Sequence, residues 1–208
     1  MKKIGFLMMA LLAMLALLAA GCGGSQEAPK KAETEKVLRV GTEPAFAPFE
    51  FQKEGSDEFT GFDMDLIRAI GTKLGYKVEI SSMGFDALIP ALNSGNIDVA
   101  IAGMSITDER KKVVVFSDPY YTSAAMELKN GGADAVINDS PVLKYYLQQG
   151  GSADAKVVGA VMNSEDYGIA VKKGNDKLAA EINKALAEMK QNGEYDKLYK
   201  TWFGEEKK

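Results

Sequence analysis

The chain has 208 residues, 46% of them hydrophobic, with 29 acidic and 25 basic side chains, a formal charge of −4 and no histidine. That balance offers no basic stripe to phosphates and argues against a nucleic-acid partner. The missing imidazole removes the commonest general base and the commonest metal ligand together, so no metal centre, cofactor or histidine-based hydrolase is expected.

Lys2 and Lys3 precede an unbroken apolar run, Gly5–Ala20, after which small residues follow. The run is short of the about 20 residues a spanning helix needs. A basic start, an apolar middle and a small-residue end make residues 1–21 an export signal. Losing Lys2 and Lys3 with it takes the formal charge from −4 to −6. Cys22 is the only cysteine. A lone thiol in an exported chain has no internal disulfide partner. The stretch "LLAAGC" resembles the bacterial lipobox, with Ala19 where leucine is commonest, and that resemblance implies lipid attachment at Cys22. A single lipidated terminus holds a protein at a membrane surface without spanning it. Residues 22–36 are small, polar and charged, and read as a flexible tether.

The folded part opens with "VLRVGTE", a β-rich run that places Glu43 at a strand's C-terminal end. "PAFAPFEF" follows as a proline-stiffened loop presenting aromatic rings, Phe46 among them. Met64, Ile67, Ile70 and Leu74 recur at helical spacing, with Asp63 as a candidate N-cap and Gly75 as the stop. "KVEISSM" reads as a strand, "FDALIPALNSG" as a helix ending at Gly95, and "IDVAIAG" as a strand. Strand, helix, strand, helix, strand predicts a parallel sheet with crossover helices. Ligands of such sheets sit beyond the strands' C-terminal ends, which here carry Glu43, the Met83–Phe85 turn and Gly103–Ser105.

A second stretch echoes the first. "LNSGNIDVAIAG", Leu92–Gly103, is nearly repeated by "LKNGGADAVIND", Leu128–Asp139. The echo predicts a helix over "AAMELKNGG" and a strand over "ADAVI", with Asp139 at its end. Ser140 and Pro141 read as N-cap and first residue of a helix closed by Gly150. "AKVVGAVM" and "YGIAVKKG" are further strands, and Leu178, Ile182, Leu186 and Met189 mark an amphipathic helix before "GEYDKLYKTWFG". Two copies of one α/β unit suggest two lobes, although helix–glycine–strand recurs in unrelated folds.

The copies end with opposite charges, Arg110 after Gly103 and Ser105 on one side and Asp139 on the other. A guanidinium grips a carboxylate through two charge-assisted hydrogen bonds, and a carboxylate with a backbone carbonyl suits an ammonium. Facing one another, the two ends would suit a free amino acid, with Phe46 and Phe85 flanking its side chain and Glu43 near the tip. Against this, Arg110 lies in the charge run "DERKK", ordinarily solvated surface, and Asp139 is equally placed to cap a helix.

"GFDMDLIRAIGTKL" resembles the signature of the family 3 extracellular solute-binding proteins, the polar amino-acid receptors of bacterial ABC importers. "GTEPAFAPFEF", "ALNSGNIDVAIAGMSITDERKKVVVFSDPYY", "GGADAVINDSP" and "NGEYDKLYKTWFG" resemble further motifs of that family, in its order, from Leu38 to Gly204. The resemblance implies an α/β fold of the periplasmic-binding-protein type II class, two lobes of mostly parallel sheet closing on a ligand like a hinge. Residues 37–122 and 168–208 would form lobe 1, and residues 123–167 a reduced lobe 2. By motif, Arg110 with Ser105 would bind the α-carboxylate, Asp139 with the carbonyl of Gly103 the α-ammonium, Phe46 and Phe85 the side chain, and Glu43 its tip. The implied protein is a monomer, exported and held by lipid on Cys22 at the outer face of a membrane, delivering its ligand to an importer's permease.

One departure stands out. Ala124 runs directly into "AMELKNGG", where the family pattern has about fifty residues more, longer than a βαβ unit of about thirty. The missing part would include a glycine–threonine loop that grips the ligand carboxylate. A remnant that folds lobe 1 without trapping ligand is therefore an alternative, because closure requires two lobes. Dehydratases acting on prephenate-like acids share the fold and the arginine. Glu43 or Asp139 as general acid or base is the corresponding enzymatic alternative, but no enzymatic activity is expected.

Overall fold

A computed structural model of the chain describes residues 35–130, 133–153, 156–158 and 164–204. The export signal, Cys22 and the tether up to Thr34 lie outside these residues.

The larger sheet is built as the first half of the sequence predicts. Strand β1 (Lys36–Thr42) pairs in parallel with β5 (Tyr76–Ser82) and with β6 (Val99–Ala100). Helix α1 (Phe62–Leu74) makes the first crossover and α2 (Phe85–Ser94) the second. Both helices stop at a left-handed glycine, Gly75 and Gly95, as read from the sequence. Between β1 and α1 a small antiparallel sheet forms from β2 (Ala45–Phe46), β3 (Glu50–Gln52) and β4 (Phe59–Thr60).

The sheet is mixed rather than mostly parallel. Strand β7 (Val114–Phe116) and strand β12 (Ala170–Lys172) complete the order β5-β1-β6-β12-β7, and β12 is antiparallel to both neighbours. Alternation along the strands splits the core between the two faces. Leu38, Val40, Val99 and Val171 face α1 and helix α5 (Asp176–Gln191), whose Leu178, Ile182, Leu186 and Met189 are buried as their spacing predicts. Ala100, Ala170 and Val114 face Leu88 and Leu92 of α2 on the other side.

The second half departs from its predicted form. "AAMELKN" is not helical: it belongs to β8 (Tyr121–Asn130), which pairs antiparallel with β9 (Ala133–Asp139), β10 (Lys156–Val158) and β11 (Ser164–Tyr167). Asn130 pairs with Ala133, so the phrase repeated from Leu92–Ser94 crosses a hairpin instead of ending a helix. Alanine, methionine, leucine and lysine favour helix, but three strands along β8 supply pairing that overrides a weak preference. The predicted repetition of an α/β unit is therefore one of wording and not of structure.

Helix α4 (Ser140–Gln148) begins one residue earlier than read, with Asp139 and not Ser140 at its N-cap position. Asp63 is likewise not the N-cap of α1, because Gly61 occupies that position. The carbonyls of Pro48 and Phe49 accept from the N–H groups of Phe62 and Asp63, each at 2.9 Å, so the helix start is satisfied by backbone. Gly61 has φ 128, and a Cβ there would lie 2.1 Å from the Phe49 carbonyl oxygen. Gly61→Ala should therefore destabilise the fold by on the order of 3 kcal/mol, read as a lower denaturation midpoint at unchanged slope.

Candidate functional site

Because β5, β1 and β6 run in parallel, the loops after them emerge along one edge of the sheet. Half-buried Glu43 directly follows β1. Phe85 opens α2 just beyond β5, and Gly103 and Ser105 follow β6. Arg110 lies on the short helix α3 (Asp108–Lys111), whose N-cap Thr107 accepts from the Arg110 N–H at 3.3 Å.

Arg110 does not share the solvated fate of its charge run. Asp108, Glu109, Lys111 and Lys112 are exposed, whereas Arg110 is partly buried. Its Nη1 donates to the Ser105 carbonyl at 3.0 Å, and its Cζ lies 5.0 Å from the centre of the Phe85 ring. A guanidinium at that distance over an aromatic face is held by the ring quadrupole. Both contacts fix the plane of the fork.

Phe46 is stacked on Phe49, with ring centres 5.6 Å apart and planes 14° from parallel. Its edge lies over Gly103, where a Cβ would come within 3.0 Å of Phe46 Cε1. Gly103 has φ 51, so both its backbone and its neighbour favour a residue without a side chain. Phe85 and Phe46 thus have separate partners, the Arg110 guanidinium for one and the Phe49 ring with Gly103 for the other.

Asp139 occupies the N-cap position of α4, yet its carboxylate makes no hydrogen bond to that helix. Instead Asp139 Oδ2 accepts from the phenol of Tyr167. Tyr167 pairs with Ser105 through an antiparallel bridge, and its ring lies beneath Gly103. The opposite charges are linked through two residues: Arg110 donates to Ser105, Ser105 bridges Tyr167, and Tyr167 donates to Asp139. Burial first, and then the bond to Asp139, push the Tyr167 phenol up and keep it a donor.

Asp63, Tyr120, Glu50 and Tyr167 were not singled out from the sequence as site residues. Asp63, fully buried, accepts on Oδ2 from the Gly103 N–H at 2.9 Å and from the Tyr120 hydroxyl at 2.8 Å. A signal for it existed: Asp63 stands four residues before Ile67 and seven before Ile70, a carboxylate on the apolar stripe of α1. A charge there needs partners. Glu50 is also buried, and it follows Phe49, whose carbonyl accepts from the Asp63 N–H at 2.9 Å. Among the described residues, no group of three or more histidine, cysteine, aspartate or glutamate side chains is placed to hold a metal ion.

Solved structures share this architecture. An ancestral arginine-binding protein bound to glutamine superposes with a TM-score of 0.74 at 41% identity, covering 82% of this chain and 99% of that one. An arginine-, lysine-, histidine-binding protein ArtJ from the thermophilic bacterium Geobacillus stearothermophilus gives a TM-score of 0.73 at 31% identity, over 83% of this chain and 97% of that one. The fold is the periplasmic-binding-protein type II fold of α/β class. Residues 38–205 match the bacterial extracellular solute-binding proteins, family 3, and the chain belongs to that family. It is similar to the arginine-binding extracellular protein ArtP of Bacillus subtilis, 32% identical over 262 aligned positions that cover all of both chains. A probable histidine-binding protein of Campylobacter jejuni is 36% identical over 99% of this chain and 84% of that protein. The alignment with ArtP spans 262 positions, gaps included, against this chain's 208 residues, in line with the shortening read from the motif spacing.

Proposed function

We propose that the protein is an extracytoplasmic receptor for a free polar or cationic amino acid, held to a membrane by lipid on Cys22 and serving the permease of an ABC importer. The observation that carries this reading is Arg110, withdrawn from its charge run, laid over Phe85 and steadied by the Ser105 carbonyl. In this role Arg110 and Ser105 receive the α-carboxylate, while Asp139 and the Gly103 carbonyl receive the α-ammonium. Phe46 and Phe85 flank the side chain and Glu43 meets its tip. The relatives support the ligand class, since arginine, histidine, glutamine and cystine each name at least one of them.

A receptor of this kind gains about 4 kcal/mol of stability at free ligand a thousand times its dissociation constant. Calorimetry and thermal shift against arginine, lysine, glutamine, glutamate, histidine and cystine test it. Heat and a raised melting temperature with at least one are expected; neither with any of them counts against the reading.

A second reading has one observation in its favour. Asp139 is already engaged by Tyr167. A remnant of this kind folds but traps nothing, and would give a cooperative unfolding transition unmoved by all six ligands. The enzymatic alternative rests on fold likeness alone. Turnover of prephenate or arogenate that disappears in Glu43→Gln is what would place the chain there.

A further inference from the structure

We propose that Glu50 and Asp63 share one buried proton, and that the pair is a positioning unit holding the Gly103 peptide at the ligand site. The positioning role rests on the ligand-binding reading above; the shared proton does not.

The geometry begins with two orphans. Glu50 Oε2 and Asp63 Oδ1 are buried acceptors without a donor in the protein. The residues themselves are 1% and 0% exposed. The Asp63 N–H donates to the carbonyl of Phe49, the residue before Glu50, at 2.9 Å, which brings the two buried carboxyls near enough for each to act on the other. Two carboxyls buried together with no cation between them favour a state in which one carries a proton. A single proton on Glu50, donated to Asp63, satisfies both orphan oxygens at once. It also halves the negative charge that would otherwise lie buried without a cation.

The remaining oxygen of Asp63 points the other way, to the Gly103 N–H and the Tyr120 hydroxyl. One carboxylate therefore ties α1 to the loop after β6 and to the residue that leads into β8. Gly103, in the left-handed conformation, has few other restraints of its own, being without a side chain. Fixing its N–H fixes the peptide before it, and thereby the residue whose carbonyl is assigned to the α-ammonium.

Charges around the pair act in one direction. Burial first, then the charge and hydrogen bond of Asp63, then the charge of Glu43, hold Glu50 well above its ordinary range. Burial lifts Asp63 to about 6, opposed by its bonds to Gly103, Tyr120 and Glu50. The Tyr120 phenol, which faces both carboxyls and Tyr167, is itself raised, chiefly by burial, and remains a donor. Carboxyls raised on folding contribute fully below their ordinary values, and that contribution fades as pH climbs through the raised ones. The pair's contribution is therefore complete at about pH 4 and declines through about pH 6 and beyond.

Glu50→Gln separates the proton from the shape, since an amide N–H donates to Asp63 without titrating. In the full chain without ligand, infrared spectra at neutral pH should show the carbonyl band of a protonated carboxyl, absent in Glu50→Gln. The Gly103 amide resonance should move as pH rises through about 6 and beyond in the parent, and only at lower pH in Glu50→Gln. A parent without that infrared band, or a band undiminished in Glu50→Gln, overturns the shared proton. A Gly103 resonance that stays still in the parent, or moves alike in both proteins, overturns the positioning role. Neither readout needs a ligand, so failure to bind any amino acid would overturn the proposed function and leave these two results to decide the pair.

Discussion

Arg110→Ala should weaken amino-acid binding by a hundredfold or more while leaving the fold nearly intact. Removing one side of a buried, hydrogen-bonded charge pair costs about 2–5 kcal/mol, much of it from the partner charge left without its counterpart. Here the partner is the ligand's carboxylate, so the loss falls on affinity. In the free protein the Arg110 guanidinium donates to the Ser105 carbonyl and lies against the Phe85 ring. Those contacts are worth about 1 kcal/mol each at most. Calorimetric heat should therefore vanish at ligand concentrations that saturate the parent, with the unfolding midpoint displaced only slightly. Heat retained in full would remove Arg110 from the ligand site.

Asp63→Ala should do the reverse, unfolding the protein by about 3–5 kcal/mol before any question of ligand arises. The substitution strands three groups together: the Gly103 N–H, the Tyr120 hydroxyl and the Glu50 carboxyl. Each buried group without a partner costs about 1–3 kcal/mol. Asp63→Asn should lose less, because the amide oxygen still accepts from one of the donors. Asp108→Ala is the surface comparison: its side chain is 87% exposed, and the change should stay within about 0.5 kcal/mol. Chemical denaturation of the three variants orders them, and an Asp63→Ala protein as stable as Asp108→Ala would refute the account of that carboxylate.

How much of this was legible before the structure depends on the range of the interactions. The parallel unit from β1 to β6 follows from local signals: periodic apolar residues, two helix-stopping glycines, and β-rich runs between them. Arg110, Ser105 and Gly103 share one loop region, and their proximity needed only the strand ends to be placed. Asp63 failed differently. A carboxylate in a first helical turn reads as a cap, and its true partners lie 40 and 57 residues away. Nothing local announces such a pairing, although its place on the apolar stripe marked it as odd.

The hairpin of β8 and β9 was missed because the same letters serve two structures. Asn130-Gly131 reads as a helix stop when helix formers precede it, and as a hairpin connection when strands flank it. Only the pairing of β8 with β9, β10 and β11 decides between them, and that pairing joins residues scattered from 121 to 167.

The path by which the chain leaves and re-enters the larger sheet has a further consequence. It exits through β7, returns through β12, and these strands are neighbours, as are β8 and β11 just outside. Everything from Thr122 to Asp166 is thus strung between two adjoining points, like a bead on a doubled thread. Lengthening or trimming such an excursion changes closure entropy only slowly with residue number and leaves the register of its anchoring strands alone. An excursion tied in this way can be rescaled without renegotiating the scaffold that carries Arg110.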